Sequence, residues 1–389
     1  MLNGKKECPM TKSAYIHIPF CQHICHYCDF NKMFVKGQPV EEYLDALKME
    51  MKLALEKYPT KKLSTIFVGG GTPTALDETQ LEKLCLSIEE ILPFDEMDVE
   101  YTFEANPGDL SDEKLQILYN HGVNRLSFGV QSFNEELLHK IGRTHKPKDV
   151  YESIEKAQKA GFTNISIDLI YGLPGQTLND FKETLLDALA LELPHYSGYS
   201  LIVEPKTVFY NLQQKGKLSL PPQETEAAMY ELLMEQMDKK GLIQYEISNF
   251  AKPGFESKHN LTYWNNDQYF GFGAGAHGYI GNTRVANFGP LKKYMEPINQ
   301  NELPFIDVHE VTLVEKMEEE MFLGLRKIDG VSIEGFCQKF DKSPIEIFEK
   351  PIYELKAKEL IKVDKYFISL THKGKLLGNE VFQAFIGVL

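Results

Sequence analysis

Between residues 15 and 203, short β-branched or aromatic runs alternate with longer amphipathic segments, and this alternation restricts the possible folds more than any other feature of the chain. The strand-like runs are AYIHI (14–18), STIFVGG (64–70), VEYTFEA (99–105), NRLSFGV (124–130), NISIDLI (164–170) and YSGYSLIV (196–203). Segments between them, such as VEEYLDALKMEMKLALEKY and LNDFKETLLDALAL, carry apolar residues at i, i+3, i+4 and i+7. Six βα units of this kind predict a parallel sheet with helical crossovers. The polar residues that stand out follow the strands one after another. Three cysteines follow the first strand and GGGTP the second; Glu104 ends the third, Gln131 follows the fourth and Asp168 lies in the fifth. An open doubly wound sheet would gather such residues at one switch point, whereas a (β/α) barrel spreads them around its C-terminal face. The expected fold is therefore α/β, a partial (β/α)6 barrel.

Past residue 204 the pattern changes. A helix is expected at about 223–239, then a Gly-, Asn- and aromatic-rich stretch of irregular strands and loops, then a helix and linker in GPLKKYMEPINQNELP. The last ~80 residues are expected to form three helices, a hairpin and a closing helix, an order resembling a winged helix. This predicts a tail at 1–14, a barrel core at 15–203, an extension and linker at 204–310 and a winged-helix-like domain at 311–389. Two or three domains suit 389 residues at ~100–200 each. A net charge of −14, with no basic run, argues against nucleic acid as a partner. The N-terminal sequence lacks the apolar segment of a signal peptide, and no apolar stretch is long enough to span a bilayer, so a cytoplasmic location is expected.

Six cysteines are too few for a disulfide framework, and three of them lie together at Cys21, Cys25 and Cys28. Cys85 falls on the apolar face of an expected helix and reads as core; Cys8 and Cys337 suggest no role. C-x3-C-x2-C could be one apolar helix face, but Pro19, three histidines and Tyr27 around it do not fit that reading. Zinc could use His17, His23 or His26 as a fourth ligand, yet structural zinc usually takes paired C-x2-C units and no second pair exists. A [4Fe–4S] cluster held by three thiolates would keep one iron open to a non-protein ligand, which makes it reactive rather than merely structural.

These residues resemble the radical S-adenosylmethionine (SAM) superfamily. YIHIPFC, GGGTPT (69–74), FEANPG (103–108), RLSFGVQSF (125–133), LHKIGRTH (138–145) and SIDLIYGLPGQT (166–177) resemble one branch of it, the oxygen-independent coproporphyrinogen III oxidases (HemN) and the related heme chaperones (HemW). The resemblance implies a [4Fe–4S] cluster on Cys21, Cys25 and Cys28, with SAM on its open iron, reductively cleavable to a 5′-deoxyadenosyl radical. It further implies Tyr15 beside SAM, Gly70, Gly71 and Thr72 at its methionine portion, Glu104 at its ribose, and Gln131, Arg143 and Asp168 on the same pocket.

Within the branch, the oxidases carry a further cysteine two residues after the trio and a longer N-terminal extension. Here Phe30 occupies that position and fourteen residues precede Tyr15. HNLTYW (259–264) matches the H-N-x-x-Y-W pattern linked to heme in the chaperones, implying His259, Asn260, Tyr263 and Trp264 as a heme site with His277 as an alternative iron ligand. Imidazole is a common axial ligand and Tyr and Trp offer flat faces; the six residues alone favour a packed aromatic loop with a satisfied histidine, and the resemblance reverses that preference. The expectation is a heme chaperone delivering heme to heme-dependent proteins, for example of a respiratory chain, with homodimerisation open. The alternative is oxidative decarboxylation of coproporphyrinogen III to protoporphyrinogen IX. Gly273, Gly275 and Gly278 spell G-x-G-x-x-G but precede strand and turn rather than a helix, so a nicotinamide site is not expected. The acidic run MEEEMF (317–322) reads as a solvated helix face.

Overall fold

The computed structural model describes residues 11–389; Cys8 and most of the expected 1–14 tail lie outside the described residues. Six parallel strands form the centre of the sheet: β1 (Ser13–Ile18), β2 (Thr65–Gly70), β3 (Glu100–Ala105), β4 (Arg125–Gln131), β5 (Asn164–Tyr171) and β6 (His195–Ser200). Each starts within a residue of its expected position. The crossovers carry α1 (Val40–Lys57), α2 (Glu78–Ile91), α3 (Asp112–Asn120), α4 (Glu135–Lys140), α5 (Pro147–Lys159) and α6 (Leu178–Ala190). Local chemistry starts them: Asp77 with Gln80 and Thr177 with Asp180 form capping boxes at α2 and α6. The apolar face of α2 buries Leu81, Leu84, Cys85 and Ile88, so Cys85 is a core residue.

The next 110 residues extend this sheet at both edges. After α7 (Val208–Gln214) and α8 (Gln223–Lys239), β7 (Ile243–Glu246) and β8 (Asn249–Ala251) add an antiparallel pair beyond β6. After α9 (Lys258–Trp264), β9 (Tyr269–Phe272) runs parallel to β1 on its other side. β10 (His277–Ile280), β11 (Thr283–Asn287) and β12 (Phe305–Glu310) continue as an antiparallel meander. The twelve-stranded order is β12-β11-β10-β9-β1-β2-β3-β4-β5-β6-β8-β7, so the barrel has two free edges and is partial. Helix α10 (Leu291–Ile298) and a linker lead to α11 (Leu313–Gly324). Three short helices, the hairpin Ile361–Val363/Phe367–Leu370 and closing helices follow, the winged-helix-like order that was expected. Phe336, Phe348, Ile352, Val381 and Phe385 are the centre of a core of their own.

The glycine-rich GFGAG turn between β9 and β10 wraps a buried acid and opens no helix. Glu50 of α1, 1% exposed, accepts from Gly273 N (2.7 Å), Asn287 Nδ2 (2.6 Å) and Tyr294 Oη (2.6 Å). Burial pushes its carboxyl up to about 7 despite these three donors.

The MEEEMF run is not a solvated face. Glu318 is buried and accepts from the backbone N–H groups of Gly387, Val388 and Leu389 at 2.8–3.1 Å, which fastens the C-terminus. Glu319 pairs with Arg284 at 2.8 Å and Glu320 with Lys339 at 2.8 Å. A charge run in sequence carries no record of which cations the rest of the chain will bring to it.

Replacing Glu50 with Ala removes the acceptor shared by three buried donors, of which Asn287 Nδ2 keeps Gly273 O at 2.9 Å. Glu50→Ala should lower folding stability by about 3 kcal/mol or more, read as a shifted denaturation midpoint; an unchanged midpoint would show that the clamp contributes nothing.

Candidate functional site

The cysteine loop is held from both sides at the C-terminal end of β1. Phe20–Cys21 pairs with Met33–Phe34, and Met33 N and Val35 N donate to the carbonyls of Pro19 (2.8 Å) and Cys21 (3.0 Å). The loop between is pinned at His26, whose N donates to Ile141 O (2.9 Å) while Nδ1 lies 2.9 Å from Lys140 O. The turn after β2 closes against it. Gly71 N donates to Ile18 O and Thr72 N to Phe20 O, both at 2.8 Å. Side chains would block this approach. A Cβ on Gly71 would lie 2.8 Å from both of those carbonyls, and one on Gly70 (φ +109°) would lie 2.3 Å from His17 Nδ1.

A cavity of about 470 Å³ opens above these elements. Cys21, Cys25, Cys28, Gly70, Gly71, Thr72, Glu104, Gln131, Arg143 and Asp168 all line it. Parallel strands place the loops that follow them at one end, so positions spread over 148 residues of sequence converge on one cavity. Tyr15 does not reach its wall. Its hydroxyl lies 2.9 Å from His17 Nδ1, and its ring packs on Phe67 deeper in the barrel.

Thr72 Oγ1 lies 3.7 Å from Cys21 Sγ and receives Asn106 Nδ2 at 3.1 Å. Asn106 also donates to Asp109 (3.2 Å) and accepts from Arg143, so one amide ties the turn after β2 to the guanidinium. Burial raises the Cys21 thiol, and pushes Cys28 up to about 11. A bulge between Gly129 and Gln131, with Gln131 at φ +67°, turns that residue toward the cavity. Its Oε1 and Arg143 Nε are buried without a partner. Glu104 accepts from Gly70 N at 3.0 Å; burial first, and then the like charge of Asp168, push its carboxyl up to about 7. Burial also raises Asp168, with Ser127 Oγ 3.5 Å from both of its oxygens. Asn106 and Ser127 were missed in the sequence. Asn106 lies inside FEANPG, two residues after Glu104, and its position at a strand end is the signal that could have marked it.

HNLTYW is at the other end of the barrel. It forms α9, started by Ser257, whose Oγ accepts from Asn260 N. The carboxylate of Glu100, first residue of β3, accepts from Lys258 N (2.8 Å) and His259 N (2.9 Å), and Thr262 meets Ser13 at the start of β1 (2.9 Å). His259 is 1% exposed with both ring nitrogens engaged, Nδ1 with Thr65 Oγ1 and Nε2 with Tyr263 Oη, each at 2.8 Å. Burial pushes its imidazole down to about 3, so it is neutral. Tyr263 packs on Tyr269, and Arg326 of the C-terminal unit covers the Trp264 ring at 4.9 Å. The structure brings His259, Asn260, Tyr263 and Trp264 together as a plug at the N-terminal ends of the strands, away from the cysteines. His277 is exposed at the start of β10 and does not line the cavity.

The raised carboxyl of Glu104 sets a pH dependence. From the ordinary 4.5 up to about 7 the folded chain keeps a proton that the unfolded chain releases, so the associated stability is present below 4.5 and lost as pH rises through 7. Denaturant titrations of the cluster-free protein at pH 6 and pH 8 should show the wild type less stable at pH 8. Glu104→Gln, which still accepts from Gly70, should reduce that loss by on the order of 1 kcal/mol, and equal losses in both proteins would refute the assignment.

The match to the radical SAM superfamily covers residues 15–188, and that to the HemN C-terminal domain covers residues 311–377. The chain is 60% identical to the heme chaperone HemW of Bacillus subtilis over 97% of its own length and 100% of that protein. It is 48% identical to HemW of Lactococcus lactis over 96% and 97%. Coproporphyrinogen III oxidase (HemN) from Escherichia coli, a radical SAM enzyme, superposes with a TM-score of 0.85 at 25% identity over 98% of this chain and 91% of that one. The cysteine cavity on a partial barrel, the C-terminal unit and the end-to-end identities together make this chain a member of the radical SAM superfamily and, within it, of the HemW heme chaperone family.

Proposed function

We propose that this protein takes up heme and passes it to heme-dependent proteins, carrying a [4Fe–4S] cluster and SAM at the cysteine end of its barrel. The observation that carries this reading is the 60% identity to a heme chaperone HemW across the whole of that relative. Radical SAM proteins use these two groups, and the residues present fit them. Cys21, Cys25 and Cys28 would hold the cluster, and Phe30, 62% exposed beside them, supplies no fourth thiolate. The unpartnered Gln131 Oε1 and Arg143 Nε are buried polar atoms that a bound ligand can satisfy. A cluster held there would supply SAM with an electron and with a coordination position that the three cysteines leave open.

The chain's own residues have separable tasks in this reading. Arg143 and the Thr72 hydroxyl favour the thiolate of Cys21 against its burial. Glu104 and Asp168 offer acceptors to ribose hydroxyls, and burial raises both carboxyls, which lowers the charge cost of placing two acids side by side. Heme-accepting proteins are the partners, membrane-associated respiratory proteins among them. Among the described residues no helix is long and apolar enough to cross a membrane.

The second reading is oxidation of coproporphyrinogen III, favoured by the superposition on HemN and by a cavity whose expected SAM-facing residues, apart from Tyr15, are all present. Two experiments separate them. Anaerobic titration of cluster-reconstituted protein with heme should give saturable, near one-to-one binding in the Soret band. Incubation with coproporphyrinogen III, SAM and a strong reductant should give no decarboxylated product. Weak, non-saturating heme binding together with decarboxylation would replace the chaperone by the oxidase. Changing Cys21, Cys25 and Cys28 together to Ser should abolish iron and sulfide incorporation on reconstitution, and retention of both would place the cluster elsewhere.

A further inference from the structure

We propose that heme docks over the mouth of the cysteine cavity, with His23 as an iron ligand and Phe30, Ile202 and Tyr199 as its apolar bed, and that the HNLTYW helix serves as a plug. This rests on the heme-chaperone reading and assigns its site to this chain's own residues.

Elimination among histidines comes first. An axial ligand needs a ring nitrogen free to face iron. His259 has none, because Thr65 and Tyr263 occupy both nitrogens. His17 is likewise engaged by Tyr15 and by Asn31 O (2.7 Å). His26 and His145 each have one ring nitrogen engaged, by Lys140 O (2.9 Å) and Val130 O (3.1 Å), and neither lines the cavity; the exposed His139 and His277 do not line it either. His195 is fully buried between Ser166 and Tyr245. His23, between Cys21 and Cys25, is exposed, lines the cavity and has no hydrogen-bond partner among the described residues.

The surroundings suit a porphyrin face. Phe30 is 62% exposed and Ile202 63%, and both line the same cavity as His23, with Tyr199 at 40%. Large apolar side chains exposed together at a cavity mouth mark a binding surface, and their combination with a free imidazole selects a flat, apolar, metal-bearing ligand. Phe30 then contributes a docking surface at the position where the resemblance to the oxidases would place a cysteine. The HNLTYW segment has a different character: His259 and Thr262 are buried, His259 is bonded to Tyr263, and Arg326 covers the ring of the half-buried Trp264.

The test is an anaerobic heme titration of the full-length, cluster-loaded protein, so that free thiolates do not compete for iron. Binding is followed in the Soret band and the ligand set by electron paramagnetic resonance of the ferric form. His23→Ala should weaken binding at least tenfold and change the ferric spectrum, and Phe30→Ala should weaken it several-fold with the spectrum kept. His259→Ala should lower the melting temperature and leave both spectrum and affinity of the folded fraction unchanged. His259→Gln is the second variant if His259→Ala fails to fold. Tight wild-type binding that His23→Ala leaves intact overturns the assignment and keeps the chaperone, with loss in His259→Gln or His277→Ala locating the true ligand. Absence of saturable binding by the wild type overturns the chaperone reading itself.

Discussion

The cysteine end of the molecule depends on how closely the turn after β2 approaches the end of β1. Two backbone hydrogen bonds, Gly71 N to Ile18 O and Thr72 N to Phe20 O, hold that turn against the start of the cysteine loop. They form only because Gly70 and Gly71 carry no side chain where His17 and the carbonyls of Ile18 and Phe20 stand. From this seam the rest of the site follows. Thr72 is brought to Cys21, Asn106 to Thr72 and Arg143 to Asn106, so strands β1 to β3 and the segment after α4 act as one frame. The glycines were expected to meet a ligand; their first task is to let two strands meet each other.

The two ends of the barrel have opposite chemistry. The C-terminal end is a cavity with unpartnered polar atoms and an apolar, exposed rim. The N-terminal end is closed by α9, whose first N–H groups rest on the Glu100 carboxylate, an anion placed at the positive end of a helix. Between them the rings of His259, Phe67 and Tyr15 stack in sequence, at 5.1 and 6.2 Å between centroids. Tyr15 belongs to this aromatic column, which explains why it stops short of the cavity wall. Through Trp264 and Arg326 the same plug joins the barrel to the C-terminal unit.

Buried acids recur with different partners and similar outcomes. Glu50, Glu104 and Glu246 are each pushed up to about 7, and in each case desolvation outweighs the hydrogen bonds that favour the ionised form. Glu50 clamps a turn and Glu246 lies beside Asn249 and Arg326, so both are architectural. Glu104 alone faces the cavity. A raised carboxyl is therefore a sign of burial in this protein, and only its position separates a ligand-facing acid from a structural one.

The sequence by itself determined the βα order, the strand positions to within a residue or so, and the gathering of Cys21, Cys25, Cys28, the GGGTP turn, Glu104, Gln131 and Asp168 at one end; Arg143, which follows a helix, was placed there only by the family resemblance. The physical reason is direction: parallel strands deliver every following loop to the same face, so chain order already encodes the juxtaposition. The winged-helix-like order was legible for a similar reason, because its helices and hairpin are made by local periodicity. The packing of HNLTYW was not legible. Its aromatic and polar pattern suits a packed loop as well as a ligand site, and the groups it packs against, Thr65 and Glu100, lie 194 and 159 residues away along the chain. The acidic run 317–322 failed for the same cause, since Arg284, Lys339 and the C-terminal N–H groups reach it only through folding. Tertiary structure alone decided which polar side chains were satisfied by the protein and which were left facing a cavity.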